Sequence, residues 1–128
     1  MTTPARNDGS QAVQTITKDI AFSDVDTTVT VGVLPAGAVV LRAGAIVSTA
    51  FNSGSTDILD IGTSADSDGF ATDISLATIG VIAADEMATT NDAGPYASDT
   101  TIVCVPAQTG TAASAGAARV YVEFIADN

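Results

Sequence analysis

Two stretches constrain this chain more than any others: Thr28-Val-Thr-Val-Gly-Val33 and Arg119-Val-Tyr-Val-Glu-Phe124 alternate residue by residue. A period of two is the signature of a half-buried strand, because successive side chains leave opposite faces of the pleat. In the first, Val29, Val31 and Val33 are expected on one face and Thr28 and Thr30 on the other. In the second, Val120, Val122 and Phe124 face one way, while Arg119, Tyr121 and Glu123 form a polar stripe on the other.

The rest of the chain is made of the same material. Val and Ile together number 23 and Thr another 18, whereas Leu, Met, Glu, Gln and Lys total only 12. The first group is stiff at χ1 and packs well on a pleated surface; the second is the usual stock of helices. Gly, Asp, Asn and Ser supply the turns between runs. An all-β fold follows: a β-sandwich or jelly roll of about eight antiparallel strands, with turn signals every 8–14 residues.

Residues 1–11 lack periodicity and read as a flexible N-terminal arm, leaving 12–128 as a single β-sandwich domain. The segment from Val13 to Phe22 reads as one long strand with a bulge, broken by Ser23-Asp-Val-Asp26. Pro35-Ala-Gly37 is a turn. Ala38 to Phe51 is a long strand bent at Gly44, and Asn52-Ser-Gly-Ser55 closes it. Asp57 to Gly62 is a short strand, followed by an acidic loop from Thr63 to Gly69. The segment 70–80 fits either a strand or a helical turn. Val81-Ile-Ala-Ala84 and Thr100 to Val105 are strands, the latter ended by Pro106 and a small-residue loop to Gly116.

Charge and missing side chains exclude a good deal. Fifteen acids against four cations (Arg6, Lys18, Arg42, Arg119) leave a net charge of −11, which makes nucleic acid and anionic membrane poor partners. With no His there is no Ser-His-Asp triad and no His-ligated metal. One cysteine, Cys104, permits no intrachain disulfide; set between Val103 and Val105, it reads as a buried small hydrophobe. The polar start lacks the apolar core of a signal peptide, so synthesis in the cytoplasm is expected. No run of apolar residues is long enough to span a membrane.

The remaining motifs are weighed one by one. Asp66-Ser-Asp68-Gly partly matches a calcium loop but lacks a third ligand before the glycine and a Glu six residues after it, so it reads as a solvated acidic turn. Asp57 and Asp60, three apart, point to opposite faces of a strand and are expected to bond loop amides at the strand ends, not to act as a catalytic pair. No catalytic, cofactor or metal residues are assigned, and the chain is not expected to be an enzyme. Tyr96 and Tyr121 are the only tyrosines that could stack on a sugar ring.

Phe51-Asn-Ser-Gly54, Asp57-Ile-Leu-Asp-Ile-Gly62 and the ending from Gly110 to Phe124 together resemble small virion proteins of tailed phages, the capsid decoration or cement proteins of jelly-roll type. The resemblance covers residues 28–125, and the ending looks like the closing hairpin of that group. It implies a homotrimer on the outer surface of the phage capsid, binding the major capsid protein and stabilising the shell. Within that frame Thr2, Thr3, Pro4, Ala5 and Arg6 are the candidate capsid contacts, an arm adding a strand to a neighbouring subunit. Three copies would carry three times the charge of one, so association is opposed by repulsion that salt screens. The alternative is a receptor- or glycan-binding head of a tail spike or head fibre.

Overall fold

The computed structural model describes residues 12–126. Eight strands are present: β1 (Gln14–Ala21), β2 (Val29–Leu34), β3 (Val39–Thr49), β4 (Asp57–Thr63), β5 (Ala71–Ser75), β6 (Gly80–Ala83), β7 (Thr100–Gln108) and β8 (Ala117–Ile125). They form two four-stranded antiparallel sheets, ordered β1-β8-β3-β6 and β2-β7-β4-β5. The pairs β1·β8, β2·β7, β3·β6 and β4·β5 are those of one long hairpin folded at the β4–β5 turn. Rolling that hairpin brings β8 against β3 and β7 against β4, which is the jelly-roll arrangement of an all-β sandwich.

The inner faces meet in one apolar core. Leu34, Val47, Leu59, Ile61, Phe70, Leu76, Ile102, Val120 and Val122 are fully buried, each contributing roughly 1.5–3 kcal/mol of burial free energy. On β8 the alternation holds as expected: Val120, Val122 and Phe124 point inward. The segment 70–80 resolves as strand β5 followed by the approach to β6, with Asp73 in the left-handed region (φ 55°).

Other expectations are corrected. On β2, Val31 is buried but Val33 is 58% exposed. The register steps from Thr30↔Val103 to Gly32↔Ile102, so Val31 is the extra residue of a bulge and the next inward side chain is Leu34. β1 pairs with β8 without interruption from Gln14 to Ala21, so it carries no bulge. Gly44 keeps its register with both neighbouring strands, and the register irregularities of β3 fall on either side, between Val40 and Arg42 and between Val47 and Thr49.

Pro106 does not end its strand but lies inside β7, opposite Leu59. It is tolerated in a central strand because pairing with β2 reaches only Cys104, and beyond it the Asp26 N–H donates to the Pro106 carbonyl (2.6 Å). The ending is also not a hairpin. β7 and β8 belong to different sheets, and the 109–116 loop arches across the end of the sandwich.

Candidate interaction surface

The polar stripe of β8 is the centre of a whole sheet face. Register places Thr17, Tyr121, Gly44 and Ala83 in one row across the β1-β8-β3-β6 sheet, and Asp19, Arg119, Ile46 and Val81 in the next. A third row runs from Thr15 through Glu123 to Arg42. Two shallow depressions of ≈ 520 Å³ and ≈ 460 Å³ flank this face and share Ile46 and Arg119.

Its charges cancel in pairs. The Arg119 guanidinium donates to Asp19 at 2.7 Å, and Arg42 Nε lies 3.2 Å from Glu123 Oε2. The Arg119 hydrogen bond and charge hold the Asp19 carboxyl below its ordinary range. Both arginines are more than half exposed, so the pairs add little stability. They nevertheless leave the rows through Arg119 and Glu123 charge-balanced on a chain of net charge −11, with Asp24 a further acid at the rim of the larger depression. Ile46 and Val81 stand exposed on this face, with Ile79 just before β6.

The acids concentrate elsewhere, around β4, β5 and the loop between them. Asp60 and Asp57 leave opposite faces of β4, as expected, and each bonds a loop or edge amide. Asp60 Oδ1 accepts from Asp73 N (2.8 Å) and Asp57 Oδ2 from Ser53 N (3.1 Å). Asp57 is buried, and its Oδ1 has no hydrogen-bond partner among the described residues. Partial burial pushes the Asp60 carboxyl up. Asp66 organises its turn through its backbone, accepting from Thr63 N and Gly69 N, and its carboxyl raises the neighbouring Asp68. Among the described residues no group of three or more acidic or thiol side chains is gathered closely enough to hold a metal ion.

The two tyrosines do not share a platform. Tyr96 packs against the core, its hydroxyl donates to the Asp92 carbonyl (2.7 Å), and burial pushes its phenol up to about 12. Tyr121 stands on the sheet face and lines a different depression. Cys104 is buried, and desolvation raises its thiol to about 12.

The motifs at 51–54 and 57–62 are structural. Phe51 is buried against Gly116, and Asn52 Oδ1 accepts from Ser114 N (2.8 Å) and Ala115 N (3.0 Å). Gly54 N donates to the Thr111 carbonyl. Together they tie the β3–β4 loop to the arch that carries β7 into β8. At Gly62 the acidic loop folds back so closely that a Cβ would strike the backbone of Asp66 and Ser67. The candidate contacts Thr2, Thr3, Pro4, Ala5 and Arg6 lie outside the described residues.

No protein-family model matches the chain, and no curated protein matches it in sequence. Solved structures do. A chain of the cyanophage Pam1 capsid asymmetric unit is 21% identical, with a TM-score of 0.75 over 99% of this chain and 93% of that one. A chain from the acid-stable capsid of Helicobacter pylori bacteriophage KHP30 is 15% identical, with a TM-score of 0.60 over 89% of both chains. A chain from the capsid of Ralstonia phage GP4 is 15% identical, with a TM-score of 0.61 over 100% of this chain and 92% of that one. At these identities the likeness establishes a shared fold along nearly the whole chain: the rolled eight-stranded sandwich is one that chains of phage capsids also adopt.

Proposed function

We propose that this chain is a structural protein of a tailed-phage virion, a decoration protein that binds the outer surface of the assembled head and stabilises it. The observation that carries the reading is the end-to-end likeness to a chain of the cyanophage Pam1 capsid asymmetric unit, which covers nearly all of both chains. The neighbours are therefore small chains of about this one's own length within structures described as capsids. The partner is the major capsid protein, the working form is a homotrimer, and residues 2–6 make the capsid contact as an arm. The protein is made in the host cytoplasm and ends on the virion.

The mechanism is linkage. Whatever binds the assembled lattice and not its separated parts stabilises the lattice by its own binding free energy, summed over many copies. Such a protein needs a rigid body and a complementary surface, and no reacting groups. The side chains that most often carry catalysis do not converge here: there is no His, Cys104 is buried, and Asp57 and Asp60 diverge across β4. The test is to heat DNA-filled heads with and without the bound protein. Release of DNA at a higher temperature when the protein is bound is the expected result; unchanged release at saturating occupancy would refute a stabilising role.

A further inference from the structure

A four-stranded sheet has two edges, so this sandwich has four, and natural proteins guard such edges against pairing with other chains. Three are guarded here. β1 carries Lys18 and Asp19. β2 is bulged at Val31. On β5 the Thr72 amide is occupied by the Asp85 carboxylate (2.9 Å), and the pairing with β4 is irregular between Leu59 and Ile61. β6 is protected only by its shortness, four residues, and carries no charge, bulge or capped amide. Residues 77–84 contain no charge and no proline, and Ile79 and Val81 are 66% and 70% exposed. An uncharged edge flanked by exposed Ile79 and Val81 leaves both backbone groups and apolar side chains open to another chain.

The adjoining surface indicates what chain that is. Val81 lies in register with Ile46, and Ile46 with Arg119, on the face where Arg119–Asp19 and Arg42–Glu123 cancel. A basic partner would be drawn to the acids around β4 and β5. A second copy of this chain brings its own net charge of −11, and a charge-balanced, apolar surface is where it can approach closely without repulsion. We propose that copies of this chain meet at the β6 edge and the sheet face beside it, through Ile79, Val81 and Ile46. The inference rests on the reading as a homo-oligomer and names the surface that builds it.

The test is sedimentation velocity on the full chain, comparing wild type with Val81→Lys and with Val33→Lys. Val33 is the control, also more than half exposed but on the other sheet. Lysine makes the chain less acidic, so general repulsion falls in both variants and cannot account for dissociation. Wild type and Val33→Lys are expected to sediment as the oligomer, and Val81→Lys at the 12.7 kDa of one chain, all with the same β-type circular dichroism. If Val81→Lys unfolds, Ile46→Lys is read in its place. An oligomer that survives folded β6-face variants, losing only head binding, would overturn the surface. A monomeric wild type at high concentration would instead defeat the homo-oligomer reading beneath it.

Discussion

Tyr121 stands directly across from Gly44 on the neighbouring strand, and a Cβ on that glycine would lie 2.6 Å from the phenol oxygen. The aromatic ring thus covers the one gap in the β3 surface, at the centre of the face where copies are proposed to meet. Gly44→Ala is expected to cost about 1–3 kcal/mol through overpacking, read as a lower urea midpoint. Adding Tyr121→Ala is not expected to restore it fully, because the Ile82 carbonyl crowds the same position.

Asn52 bonds Ser114 and Ala115 across the end of the sandwich with three hydrogen bonds from one side chain. Asn52→Ala is expected to cost about 1–3 kcal/mol and to speed hydrogen exchange at the Ser114 and Ala115 amides. Asn52→Asp, which keeps the acceptor for both amides and loses only the donor to Ser114, is expected to cost less. Equal losses in the two variants would place the effect elsewhere.

Asp60 gives stability a pH dependence of known sign. Its carboxyl is raised by burial, so the folded protein holds a proton there more tightly than the unfolded chain does. Its contribution is fully present below the ordinary value of 3.8 and is lost as pH rises through the raised folded value. Asp19 runs the other way: held low by Arg119, it contributes above 3.8 and loses that contribution as pH falls through its depressed value. Acidification from neutrality is therefore expected to stabilise the protein before any loss at Asp19 sets in. Asp60→Asn, which keeps an oxygen for the Asp73 amide, is expected to flatten that rise in urea midpoints. An identical pH profile in the variant would contradict the assignment.

Cys104 is buried with its thiol raised to about 12. Thiol reagents at pH 8 are expected to leave it unmodified in the native protein and to titrate one equivalent in denaturant. Rapid native modification would mean that β7 opens.

Most of the fold was legible because period-two patterning and turn residues report local geometry. β8 and its two faces, β4 and the divergence of Asp57 from Asp60 could be read directly. The misreadings share a cause: they depend on the partner strand. Val33 reads as sharing the face of Val31 because a bulge leaves no mark in the alternation before it, and Pro106 reads as a terminator until the Asp26 amide is seen on its carbonyl. The closing hairpin was a matter of topology, since the 109–116 loop is short enough for a hairpin yet crosses between sheets. At the surface, the stripe Arg119–Tyr121–Glu123 was visible in sequence. Its neutralising partners, Asp19 from β1 and Arg42 from β3, were not, because register between strands so far apart in sequence is set by the completed roll.

The most direct measurement is electron cryo-microscopy of heads that lack this protein, before and after the purified chain is added. Added density on the outer surface of the shell, fitted by the eight-stranded sandwich at a regular lattice position, is the expected result. Heads that gain no density, or virions in which the chain is found in the tail, would contradict the account.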